Sequence, residues 1–250
     1  MNIGGSMTQV LLIEDNSQIG YARRTAQNLA QQHGFDATDA GRVALVATEL
    51  ASNILKHASR GELHLRVIPR ASGAGIEMLA IDRAQGFDLH ACLADGFSTG
   101  GTQGIGLGTV SRQTEVFDVY ADSRGAVLLT RLYPRTDKAA DQRIGISQHS
   151  LHQDPACGDT WHLAFDGPRI SALVIDGLGH GEEAERAARA GEKAYALLPF
   201  DSPLLVLQDI HLAMTGTRGG AVAIAQFNAD SDALKFVGIG NIGACLVAPG

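Results

Sequence analysis

Glu49 and Asn53 stand four residues apart in the segment ATELASNILKHA, a spacing that puts both side chains on one side of a helix. A carboxylate beside an amide can accept a hydroxyl proton and hold a water or a magnesium ion. By spacing alone the pair is more simply a solvated helix face. Asp82 ends an apolar run and leads into Arg83-Ala84-Gln85-Gly86, a turn suited to holding its carboxylate in a pocket. The stretch DGFSTGGTQGIGLG follows from Asp95 to Gly108, with glycines at 96, 100, 101, 104, 106 and 108 ahead of a short helix. Successive N–H groups in such a loop, with the positive end of that helix, form an anion cradle. Alone, the loop reads as flexible surface, since neither a Walker lysine nor a strand–GxGxxG–helix context accompanies it. The order of the three pieces is what raises phosphate chemistry above that reading.

A second pair of acids lies on a hairpin. Thr160–Phe165, a turn at Asp166-Gly167 and Ile170–Asp176 form the clearest hairpin signal in the chain. With Asp166-Gly167 as the central residues, Asp159 faces Val174 and Asp176 is its diagonal neighbour on the same face, about 7–8 Å away. Two like charges so placed are unfavourable unless a cation neutralises them. A one-residue register shift at Pro168 would put them on opposite faces, and two turn-capping aspartates are an equal alternative.

These segments resemble known families. ATELASNILKHA is similar to the N-box of GHKL-type (Bergerat-fold) ATPases, most closely the serine kinases and anti-sigma factors of bacterial partner-switching modules, the RsbT type. DGFSTGGTQGIGLGTVSRQTEVFDVYA resembles that group's ATP lid and second glycine box. The resemblance implies ATP and Mg2+ as cofactors, with Asn53 binding the magnesium, Glu49 as the catalytic group that activates the attacking hydroxyl, and Asp82 hydrogen-bonded to the adenine amino group. Gly86, Thr99, Gly104, Gly106 and Gly108 would shape the nucleotide site. The first glycine box departs from the family's D-x-G-x-G, reading D-R-A-Q-G with Ala84 at the first glycine position. The implied substrate is a STAS-domain antagonist protein, with a sigma factor as a further partner.

CGDTWHL and VIDGLGHGEEA resemble the metal-binding strands of PPM-type serine/threonine phosphatases of the SpoIIE and RsbX branch. GTRGGAVAIAQF and KFVGIGNIGACLV are similar to later strands of that branch. This implies that Asp159, Asp176 and the Gly177 carbonyl hold Mn2+ or Mg2+, which would activate a water against a phosphoserine. The family carries further metal aspartates in a later S-D-G segment, and the sequence reaches Gly250 before any such segment. An incomplete phosphatase domain with an unfinished sheet edge is expected, and such an edge favours pairing with another chain, a second copy included.

The elements that must position these groups follow from periodicity. Helices are expected at Ser17–Gln32, with Ile19, Ala22, Ala26 and Leu29 on one stripe, and at Thr38–His57, with Val43, Ala47, Leu50 and Ile54 buried. Strands Glu62–Ile68 and Gly75–Asp82 form a hairpin, and a short helix near Thr109–Glu115 precedes strands Phe117–Ala121 and Ala126–Tyr133. Beyond the acidic hairpin come helices Glu182–Leu198 and Ser202–Met214, then strands Ala221–Phe227, Leu234–Ile239 and Ala244–Val247. The expected class is α+β: a Bergerat-fold sandwich over residues 7–134, a charged linker over 135–145, and a partial PPM-phosphatase-like sandwich over 146–250.

Composition agrees with two modest folded domains. The 250 residues are 45% hydrophobic and 19% charged, too apolar for disorder. A net charge of −7 argues against coating nucleic acid or an anionic membrane. Three unpatterned cysteines, Cys92, Cys157 and Cys245, suggest neither a disulfide framework nor a zinc site, which fits a reducing cytoplasm. Residues 1–6 read as a leader ahead of Met7, with no signal pattern and no membrane span. The leading reading is a bifunctional regulator, a serine kinase fused to a phosphatase-like module. The alternative is a non-catalytic protein that sequesters a sigma factor or antagonist in an ATP-dependent way and carries a vestigial second half.

Overall fold

The structure, a computed structural model, describes residues 2–4, 7–70, 73–84, 106–135, 144–150 and 154–247. The chain divides into two compact units, one of Thr8–Ile146 and one of Met1–Met7 with Ser147–Gly250. A short strand β1 (Asn2–Gly4) belongs to the second unit.

In the first unit, β2 (Gln9–Ile13) leads into α1 (Asn16–Gln32) and α2 (Ala37–Ala58). Then come β3 (Gly61–Arg70), β4 (Gly73–Asp82), α3 (Gly106–Gln113), β5 (Val116–Asp122) and β6 (Gly125–Leu132). The sheet runs β2-β3-β4-β6-β5, antiparallel throughout. α1 starts at a capping box: the Asp15 carboxylate accepts the Ser17 N–H at 2.7 Å, and the Gln18 side chain accepts the Asp15 N–H at 2.9 Å. At the start of α2, Asp36 accepts the Asp39 N–H at 2.8 Å.

α2 lies on the sheet because Val43, Ala47, Leu50 and Ile54 recur on one side of it, and all four are buried in the same core as Leu63, Leu65, Met78 and Ala80. Burying Leu50 completely contributes about 2 kcal/mol. The helix is also tied at its N-terminal end. Arg42 donates to the Gln113 carbonyl at 3.2 Å, to Glu115 at 2.8 Å and to the Tyr133 carbonyl. Those bonds lock the first turns of α2 to the end of α3 and to the residues that follow β6.

The second unit contains β7 (Asp159–Asp166), β8 (Arg169–Gly177), α4 (Glu182–Leu197), α5 (Pro203–Ala213), β9 (Gly220–Asn228) and β10 (Ala233–Ile239). Its sheet is β1-β7-β8-β9-β10, again antiparallel. Leu173 and Ile175 of β8 with Val222 and Ile224 of β9 meet Ala187, Tyr195, Val206 and Ile210 of the two helices. One polar network crosses this interface. Glu192 accepts from Thr160 at 3.0 Å and from Arg189 at 3.1 Å, and pairs with His162 at 3.3 Å.

Two expectations are corrected and one strand is added. The stretch 1–6 is not merely a leader, since Asn2–Gly4 pairs with His162–Ala164 as an edge strand. Gln9–Ile13, for which no element is expected above, is a strand. Ala244–Val247 is irregular: β10 forms the end of the sheet order, and Leu246 and Val247 are 84% and 86% exposed, with neither ladder nor layer to hold them extended.

Burial pushes the Glu192 carboxyl up, but the bonds from His162, Thr160 and Arg189 outweigh it and hold the group below the ordinary glutamate range. A depressed folded value contributes stability above the unfolded pKa, and that contribution is lost as pH falls through the folded one. Glu192→Gln should therefore destabilise the second unit by about 1–3 kcal/mol at pH 7 and by less at an acid pH below the folded value. Denaturant unfolding followed by the fluorescence of Trp161, the chain's one tryptophan, reads this directly. An equal loss at both pH values would refute the role given to the carboxylate.

Candidate functional site

Glu49 and Asn53 lie midway along α2, both half-buried, one residue wide of the fully buried line. The helix packs on β3 and β4 and against α3. Ile54, the residue after Asn53, approaches Gly61, the ladder partner of Asp82, so α2 runs past the C-terminal end of β4. The Asn53 side-chain nitrogen is shielded from solvent and, like several other buried polar atoms, has no hydrogen-bond partner among the described residues. A shielded amide without a partner costs about 1–3 kcal/mol, which a ligand binding there would recover. The two ends of an amide interchange by a flip, so the same position can present an oxygen to a cation. On chemical grounds Asn53 fits a hard ion such as magnesium.

Asp82 closes β4, half-buried, opposite Gly61 of β3 and Ala126 of β6. One carboxylate oxygen accepts the Ala84 N–H at 3.0 Å, a local turn that orients the side chain and leaves its second oxygen for a ligand. Ala84 is not among the residues with positive φ, so its methyl group brings no left-handed strain to the departed glycine box. Gly106 and Gly108 occupy the first turn of α3, whose Val110 is buried in the core. Gly86, Thr99 and Gly104 lie outside the described residues.

The acidic hairpin departs from its expected register. Asp166 pairs with Arg169, so Gly167 and Pro168 are the central residues. Gly167 has φ 57°, and the proline ring holds φ near about −65°, the sign pattern of a type II′ turn. A turn centred on Asp166-Gly167 would need an N–H from Pro168 to close the ladder, and proline has none. Sliding the turn by one residue moves the pairing by two. Asp159 therefore faces Asp176 directly instead of Val174, and the two remain on one face. Thr160 and Ile175 point to the helices, so the aspartates point away from them.

Burial, then the charge of Asp176 and a hydrogen bond shared with it, push the Asp159 carboxyl above the usual aspartate range. Gly177, buried, donates its N–H to the Gly158 carbonyl at 2.9 Å and so continues the pairing beyond the acids. The Gln148 side chain donates to the Asp159 carbonyl at 2.7 Å, a contact that no local pattern signals because the two elements meet only in the folded unit. No group of three or more His, Cys, Asp or Glu side chains suited to a metal occurs among the described residues. Two carboxylates and one carbonyl supply part of the oxygen shell of a hard divalent ion, and water would fill the remaining positions.

Two comparisons with known proteins bear on the first unit. Residues 13–131 match the family model described as the histidine kinase-like ATPase domain. The serine/threonine-protein kinase RsbT of Bacillus subtilis (strain 168) is 32% identical over 99 residues, which cover 39% of this chain and 74% of RsbT. No described helix is long and apolar enough to cross a membrane.

The unpartnered amide makes a sharp prediction. Asn53→Ala should leave the ligand-free chain as stable as before or more stable by up to about 1–3 kcal/mol, because an unsatisfied amide is removed and no bond among the described residues is lost. It should also abolish magnesium-dependent binding of ATP in calorimetry. Retention of that binding would remove Asn53 from the site.

Proposed function

The chain belongs to the histidine kinase-like ATPase family as a relative of RsbT, and from that premise we propose that its first unit is an ATP- and magnesium-dependent protein serine kinase. The kinase domain spans residues 7–134, a linker spans 135–145, and a phosphatase-like module spans 146–250. The substrate is a serine of a STAS-domain antagonist in a cytoplasmic bacterial partner-switching module, and a sigma factor lies further along the same circuit. The observation that carries this reading is Asn53, with its shielded and unpartnered amide one turn from Glu49 and on the helix packed beside the Asp82 strand.

Each residue then has a task. Asn53 holds the magnesium ion, and the main chain around Gly86, Thr99, Gly104, Gly106 and Gly108 cradles the phosphates. Asp82 accepts the adenine amino group with the oxygen that Ala84 does not engage. Glu49 takes the proton of the partner's serine hydroxyl as that oxygen attacks, and its half-buried place on α2 keeps it within the site. When bound, magnesium-ATP supplies the transferred phosphoryl group and the charge neutralisation on which such transfer relies.

The experiment is incubation of the full chain with ATP, magnesium and a STAS-domain protein. Phosphoserine should appear on the partner, and Glu49→Ala should slow its appearance by about 100-fold or more while ATP still binds. A tight complex without transfer would instead establish the non-catalytic binder, which has no use for a base at position 49.

A second reading concerns the other unit and is favoured by the facing carboxylates of Asp159 and Asp176. Two acids held directly opposite are a standing repulsion that a cation relieves. The unit is a phosphatase-like module with a partial manganese or magnesium site at Asp159, Asp176 and Gly177, and no dephosphorylation step is assigned to so small a ligand set. Manganese titration followed by calorimetry should give weak binding that Asp176→Asn removes. Unchanged affinity in that variant would dismiss the site.

A further inference from the structure

The end of β4 is gripped from both sides by glycines that belong to none of the nucleotide-site segments. On one side, Gly61 is the ladder partner of Asp82. A Cβ at Gly61 would stand 2.5 Å from the Ile81 carbonyl oxygen and 2.8 Å from Ile54 Cγ2, nearer than such atoms approach. On the other side, Gly125 adjoins Ala126, the second ladder partner of Asp82. A Cβ there would overlap the Asp82 carbonyl oxygen and stand 3.0 Å from Arg83 Cα. Gly125 also has φ 151°, which strains any residue with a side chain.

From this pinch we propose that Gly61 and Gly125 are positioning residues that set where the Asp82 carboxylate meets the purine, and hence the selectivity for adenine. The inference rests on the reading of Asp82 as the group that accepts the adenine amino hydrogen. The end of β4 sits between two neighbouring strands whose close approach depends on Gly61 at its own level in β3 and on Gly125, just before Ala126, in β6. Any substituent pushes the end of β4 away from β3 or β6. Ile54 follows Asn53 on α2, so the Gly61 contact also sets the spacing between the amide end of the site and the Asp82 end. The atoms nearest a Cβ at Gly125 belong to Asp82 and Arg83. The turn made by Asp82 and Ala84 is rigidly attached to this backbone and moves with it.

The test compares two nucleotides, magnesium-ATP and magnesium-purine riboside triphosphate, which lacks the 6-amino group. Affinities for both are measured by calorimetry on the full chain, alongside thermal unfolding without nucleotide. Asp82→Ala should erase the preference for ATP. Gly125→Ala and Gly61→Ala should each reduce that preference by about tenfold, because a displaced carboxylate loses one charge-assisted hydrogen bond. Gly41→Ala, where an added Cβ meets nothing within 4 Å, should keep the wild-type ratio. Mere loss of folded protein lowers the active fraction for both nucleotides equally and leaves the ratio unchanged. If Gly125→Ala fails to fold, Gly61→Ala, whose φ is not positive, decides the matter. A wild-type ratio in the glycine variants, with the ratio erased in Asp82→Ala, overturns the proposal alone. A wild-type ratio in Asp82→Ala overturns the adenine reading and the proposal with it.

Discussion

The first unit is organised around a polar group that the fold shields and does not satisfy. α2 must press Val43, Ala47, Leu50 and Ile54 into the sheet, and a helix that does so carries its neighbouring line of residues to the border of the core. At that border Asn53 loses water from its amide nitrogen and finds no protein partner among the described residues. The apolar stripe repays the cost many times over. Stability elsewhere thus permits a local deficit, and the deficit is what a ligand can relieve. The same geometry brings Glu49 one turn away and Asp82 to the end of the strand beneath.

Much of this arrangement was legible in the residues themselves. The 3.6-residue period of Val43–Ala47–Leu50–Ile54 announces both the helix and its buried side, and the i, i+4 spacing of Glu49 and Asn53 follows from it. The hairpin was legible as an element but not in register. Its pairing turns on a single missing N–H at Pro168, whose effect outweighs the usual preference for Asp-Gly as the central pair. β2 was hidden because QVLLI is a continuous apolar run without alternation. β1 is three residues long and has no pattern of its own, existing only through β7. The grip of Gly61 and Gly125 on Asp82 lay equally out of reach, since glycines far apart in sequence say nothing of a close approach until the strands are paired.

The second unit treats its acids in two ways. Glu192 gathers Thr160, Arg189 and His162 and is satisfied by them, so burial is outweighed. At the start of β7 and the end of β8 the exposed Asp159 and Asp176 face one another with no such company, and partial desolvation of Asp159 adds to their repulsion. The contrast marks the first group as architectural and the second as a place where the sheet holds a tension it does not resolve internally.

β1 has a consequence for biosynthesis. Gly4 and its neighbours leave the ribosome before any part of the first unit, whereas β7, their ladder partner, emerges only after that entire unit. At ordinary translation speeds the gap is on the order of ten seconds. The nascent strand must wait until the intervening unit has been made before its ladder partner exists.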